Sequence, residues 1–285
     1  MPFASAPIGI YDSGLGGLSV VKQLQRLLPH ESFVYVADAA RVPYGGRSEA
    51  EIRQFSLEII EHLSQYQVKA ILCACNTSSV VILPELRRYQ GIPVLGLAQA
   101  GSLAVKGYRR VALLATEATV RSQLYRELIA RRFPEVELFD MACPEFVPLV
   151  ESGQWHGPEV KGIVQRRLQA LLDWKADAVI LGCSHYPYLA NVLGEVLGAH
   201  VAFLDPAEFL VKELQQILIQ QHLHTPYRQA TAQFQTTGQN VQRFSELASA
   251  YLGYDINGLT QVELASGKQT ERFSEALEYG LNLLL

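Results

Sequence analysis

The chain has 285 residues, a net charge of -4 and a 49% hydrophobic composition, enough to bury a substantial core as one large α/β domain or two smaller ones. No run of lysine and arginine concentrates the positive charge that phosphate binding needs, which argues against nucleic acid as a partner. Every apolar run is interrupted before the roughly 20 residues that cross a bilayer, and the N-terminal residues lack a positive n-region. A cytoplasmic protein without membrane contact is expected.

Short β-rich runs alternate with helical patterns, which predicts parallel βαβ architecture with both sheet faces covered. The first strand, PIGIY, runs into Asp12-Ser13-Gly14-Leu15-Gly16-Gly17. This turn is not a phosphate loop, because the closing Lys-Ser/Thr is absent and the glycine spacing departs from Gly-x-Gly-x-x-Gly. Its glycines let the backbone approach a small ligand closely. Asp12 either caps the turn or offers a carboxylate to a substrate ammonium or a proton transfer.

Apolar residues three and four apart predict a helix from Gly17 to Leu28. FVYVA is the second strand, and it leads into the turn-rich segment Arg41-Val-Pro-Tyr44-Gly45-Gly-Arg47-Ser48. Tyr44 and Gly45 there could present a phenol and a close amide to a carboxylate. Arg41 and Arg47 are read as solvated surface. A second helix is expected from Ser48 to Gln65, then the strand KAILCA, which ends at Cys75-Asn76-Thr77-Ser78-Ser79.

IPVLG, RRVALLA, VELFD, DAVILG and HVAFL continue the series, with a helix predicted from Thr119 to Arg132. DAVILG ends at Cys183-Ser184-His185. The segment Lys69-Ala-Ile-Leu-Cys-Ala-Cys75-Asn-Thr77 lies over Asp177-Ala-Val-Ile-Leu-Gly-Cys183-Ser-His185 without a gap. PIGIYDSGLGGLSVVKQL and RRVALLATEATVRSQLYREL likewise share a strand, a small polar turn and an amphipathic helix. The two halves therefore read as variations on one design.

Ligands of open parallel sheets bind beyond the carboxyl ends of the strands, and both cysteines sit at such an edge. If the halves face each other, one cleft receives a cysteine from each wall. Thiols there are activated by free backbone N-H groups or a nearby cation. His185, two residues past Cys183, can take or stabilise its proton, and Glu151 is a candidate to orient that histidine. Cys73 and Cys143 are assigned to packing. Cys73-Ala-Cys75 has the wrong spacing for a zinc or redox pair, so no metal is expected.

A single activated cysteine suggests a hydrolase built on Cys183 and His185. Two opposed thiols suggest inversion of a stereocentre, in which one group removes a proton from one face of a carbon and the other returns a proton to the opposite face.

Taken together, IGIYDSGLGGLSVV, RVPYGGRS, CACNTSS and LGCSHYPYL resemble the glutamate racemases of the aspartate/glutamate racemase superfamily, from about residue 7 to about residue 255. The resemblance implies two pseudo-symmetric parallel-sheet α/β domains with the active site between them, residues 1–97 with 207–285 forming one and 98–206 the other. It implies conversion of L-glutamate to D-glutamate for peptidoglycan, with neither pyridoxal phosphate nor metal. Cys75 and Cys183 would exchange the Cα proton, assisted by Asp12 and His185. Asp12, Ser13, Tyr44, Gly45, Asn76, Thr77, Ser184 and His185 would bind substrate, along with Thr119 or its neighbour Thr116.

Ser184 stands where the family usually has threonine, which keeps the hydroxyl. A homodimer is expected by the same analogy. The tail from about Gln261 extends past the usual family end, and a helix on the first domain or at a subunit contact is expected there. An aspartate racemase is the nearest alternative substrate reading.

Overall fold

The computed structural model describes residues 3–226 and 229–264. Its strands fall into two sheets. The first contains β1 (Ile8–Asp12), β2 (Phe33–Ala37), β3 (Ala70–Cys73), β4 (Arg88–Tyr89) and β5 (Ile92–Gly96). The second contains β6 (Arg110–Ala115), β7 (Glu137–Ala142), β8 (Ala178–Gly182) and β9 (Ala202–Leu204). The chain then returns to the first sheet with β10 (Ala232–Thr236) and β11 (Thr260–Gln261).

The first sheet runs β11-β10-β2-β1-β3-β5-β4 and the second β7-β6-β8-β9. Removing the edge additions leaves β2-β1-β3-β5 against β7-β6-β8-β9, the same order in both. All of these core pairings are parallel. β3 and β8 are thus equivalent strands, as are β1 and β6. In each sheet the chain leaves the first strand toward one side and the third toward the other, which opens a crevice between their carboxyl ends.

The central strands β1, β2, β3 and β8 are buried along their whole length, which explains continuous apolar runs in place of alternation. Two buried clusters each span both sheets: Ile10 and Leu72 join Leu114 and Val179 in one, and Ile71 and Val36 join Val111 and Ile180 in the other. Each such side chain contributes about 1.5–3 kcal/mol by leaving water, so the same packing that builds each half also seats it on the other. At the opposite edge of the first sheet, buried Lys69 donates to Glu31 at 2.5 Å, to Thr225 and to the carbonyls of Ala4 and Leu223. The full set of acceptors is what makes a buried ammonium tolerable.

The expected helices occur as Leu18–Leu27 and Glu49–Ser64. The second opens with a reciprocal capping box between Ser48 and Glu51. The helix predicted from Thr119 to Arg132 is instead two, Glu117–Arg121 and Leu124–Arg132. Thr116 caps the first by accepting from the Thr119 amide, and Gln123 takes a left-handed φ of 58° that breaks the run. Hydrophobic spacing carried across this break because the two short helices keep a common buried side, through Thr119, Tyr125 and Ile129.

No apolar run in the sequence marks β10. Its AQFQT has one large apolar residue, Phe234, which packs edge-on against Phe33 with ring centroids 5.5 Å apart. The extension that begins at Gln261 first adds β11 to that edge. The helix expected beyond it lies outside the described residues.

Candidate active site

Where the two sheets adjoin, each wall is built at strand ends. On the first, Asp12 closes β1, and its Oδ1 accepts from the Gly14 amide at 2.8 Å. Cys75 follows β3 as the N-cap of the short helix Asn76–Ile82. Tyr35 donates to Gly14 O at 2.6 Å, fixing the glycine turn from below. On the second wall, Cys183 follows β8, with its sulfur 3.8 Å from His185 Nδ1. His185 Nε2 meets Glu151 Oε1 at 2.6 Å, and that oxygen also accepts from Leu15 N at 2.8 Å.

The walls touch through polar groups. Ser184 donates to Asp12 Oδ2 at 2.8 Å, Thr77 and Thr116 share a hydroxyl bond of 2.8 Å, and Ala118 N donates to Gly45 O at 3.2 Å. Backbone bareness permits this approach: a Cβ on Gly45 would lie 3.0 Å from Thr116 Cβ, and one on Gly16 would lie 2.7 Å from His185 Cε1. Asp12, Ser13, Tyr44, Cys75, Asn76, Thr77, Thr116, Thr119, Cys183, Ser184 and His185 are all buried. Among the described residues, no group of three or more His, Cys, Asp or Glu is placed to hold a metal ion.

A profile described as Asp/Glu/Hydantoin racemase matches residues 15–214. The chain belongs to that family. Glutamate racemase of Picosynechococcus sp. is 42% identical over 249 residues, covering 87% of this chain and 89% of its own. The crystal structure of glutamate racemase isoform RacE1 from Bacillus anthracis superposes with a TM-score of 0.86 at 33% identity, over 91% of this chain and 98% of that one. The Francisella tularensis glutamate racemase crystallised with D-glutamate gives 0.86 at 32% identity, over 93% and 100%.

In this racemase the two cysteine environments differ. Burial pushes the Cys75 thiol up to about 12; the Asp12 charge and Cys183 add to the rise, and hydrogen bonds from Ser78 oppose it. His185 sits well above its ordinary value: burial disfavours the imidazolium, but Cys183 and Glu151 together outweigh it. Burial raises Asp12 too, partly offset by His185, Ser184 and the Gly14 amide. Burial thus favours the neutral Cys75 thiol, while the contacts of His185 with Cys183 and Glu151 favour its imidazolium form.

Asp12 and Ser184, Thr77 and Thr116, and Gly45 and the Ala118 amide meet where the sheets adjoin, but two local roles differ from expectation. The Tyr44 phenol donates to Asp38, buried at the end of β2, and so fastens the loop that carries Gly45. Arg41 is not solvated surface: it pairs with Asp38 at 2.6 Å and with Glu58, and its guanidinium lies 4.1 Å over the Phe55 ring. Asp38 also accepts from Thr237 at 2.8 Å.

Sequence reasoning missed Asp38 and the tyrosines around the crevice. Tyr188 donates to Leu15 O at 2.6 Å, and Tyr186 to Ala115 O and Cys143 O at 3.0 and 2.9 Å. A signal existed for Tyr35, because a tyrosine inside a wholly buried strand needs a partner for its hydroxyl. Cys73 and Cys143 are buried within the apolar clusters, as expected.

Proposed function

We propose that this racemase interconverts L- and D-glutamate by a two-base proton transfer between Cys75 and Cys183, with no cofactor or metal. The equivalent placement of the two cysteines, each just past the third strand of a four-strand core of identical order, carries the reading. Pseudo-symmetric walls that face each other present their thiols to opposite faces of a carbon held between them. The glutamate racemase relatives, one of them crystallised with D-glutamate, support the substrate.

In one direction Cys183 is the base. The His185 imidazolium 3.8 Å from its sulfur balances the thiolate charge, and Glu151 holds the ring in place. Cys75, kept protonated by burial, returns a proton to the opposite face. In the reverse direction the roles exchange, with the Ser78 amide supporting the Cys75 thiolate. Asp12 offers its carboxylate to the substrate ammonium. The Gly45, Asn76 and Thr77 side of the site and Ser184 supply donors for carboxylates, and Thr119 stands beside Thr77 through Thr116. The product serves peptidoglycan synthesis in the cytoplasm.

L-Glutamate and L-aspartate assayed side by side by circular dichroism test the substrate: turnover of aspartate alone would overturn it. Cys75→Ser tests the chemistry, with near-complete loss expected. Retained racemisation would show that Cys75 is not one of the two bases.

A further inference from the structure

Asn76 opens the helix that follows Cys75 and is 1% exposed. Its Oδ1 accepts from the Tyr125 phenol at 2.7 Å, while its Nδ2 is buried with no partner among the described residues. A buried N-H donor without an acceptor is costly, so the folded chain keeps a polar group that a ligand can satisfy. Tyr125 comes from the other half, on the helix Leu124–Arg132, and is also 1% exposed.

The phenol decides which way the amide points. Its other acceptor, Leu97 O, lies at 3.4 Å. Were the amide reversed, Nδ2 would donate to the phenolic oxygen and the phenol proton would be left with that long bond alone. The short bond to Oδ1 therefore selects the orientation that leaves both amide N-H groups free. Tyr125 is itself seated where the chain passes between halves: a Cβ on Gly101 would lie 2.8 Å from the Tyr125 hydroxyl and 2.8 Å from Pro206 Cγ.

We infer that Tyr125 is a positioning residue, reaching from the second half to turn the Asn76 amide so that its N-H groups meet a substrate carboxylate. This rests on the reading above that Asn76 binds substrate. Tyr125 touches no substrate, and its influence passes through Asn76 and requires the halves to be packed together.

A double-mutant cycle on Asn76→Ala and Tyr125→Phe tests it, with KM and kcat for glutamate measured for each variant and thermal melts run alongside. Each single change is expected to raise KM about tenfold, the equivalent of one lost charge-assisted hydrogen bond, and to change kcat much less. The double variant should match Asn76→Ala. An unchanged KM in Tyr125→Phe beside a raised KM in Asn76→Ala would overturn the inference and spare the substrate reading. So would effects that multiply to about a hundredfold. An unchanged KM in Asn76→Ala would sink the role of Asn76 and the inference with it.

Discussion

Gly16→Ala should disable catalysis while leaving the fold intact. The added Cβ would lie 2.7 Å from His185 Cε1 and nearer still to His185 Nδ1 and Ser184 Oγ. Carbon contacts are comfortable from about 3.5 Å, so the second wall must retreat by about 1 Å, carrying His185 and the adjacent Cys183 with it. A misplacement of about 1 Å can cost about 100-fold in rate, whereas overpacking by one methyl costs about 1–3 kcal/mol of stability. kcat/KM for glutamate is therefore expected to fall about 100-fold, while the circular dichroism spectrum stays native. Because the enantiomers have equal free energy, the loss must be the same in both directions. Gly46→Ala is the control, since a Cβ there meets nothing within 4 Å. A Gly16→Ala enzyme within twofold of the wild type would refute the claim that the walls must approach this closely.

Glu151→Gln removes a charge that holds His185 above its ordinary value. The alkaline limb of the pH profile of kcat/KM should move to lower pH by about one unit, equally for both enantiomers; an unmoved limb would place the titration elsewhere. Burial raises Asp205, which caps the helix Pro206–Gln220, from 3.8 to about 6. A carboxyl raised in the folded state carries no penalty below pH 3.8 and an increasing one as pH rises through about 6. Asp205→Asn should therefore raise Tm near neutral pH, by the equivalent of at most about 3 kcal/mol less a discount for partial exposure, and leave it unchanged in acid. Cys143→Ala and Cys183→Ala, both in the same buried cluster, should each lower Tm modestly, but only Cys183→Ala should lose racemisation.

The apolar runs from PIGIY to HVAFL all became strands, and the central ones, β1, β2, β3 and β8, buried on both faces, advertise themselves by composition alone. The gap-free match of Cys75 and Cys183 was legible for the same reason, as equivalent strands carry equivalent runs. β10 escaped because two of its three buried residues, Gln235 and Thr236, are polar, so AQFQT reads as polar. The kink at Gln123 escaped because helical spacing does not record a single left-handed residue. Tyr125 acts through Asn76, 49 residues away, and Asp38 ties the nearby Arg41 and Tyr44 to Thr237, 199 residues away. No local pattern reports such pairs; only the folded register brings them together.

The claim of opposed faces is tested most directly by elimination from the two enantiomers of β-chloroglutamate, using Cys75→Ala and Cys183→Ala enzymes. Loss of HCl needs only removal of the Cα proton, so each variant should still process the one enantiomer whose proton faces its remaining thiol. Opposite enantiomers for the two variants are expected. Both variants acting on the same enantiomer would contradict the two-wall geometry.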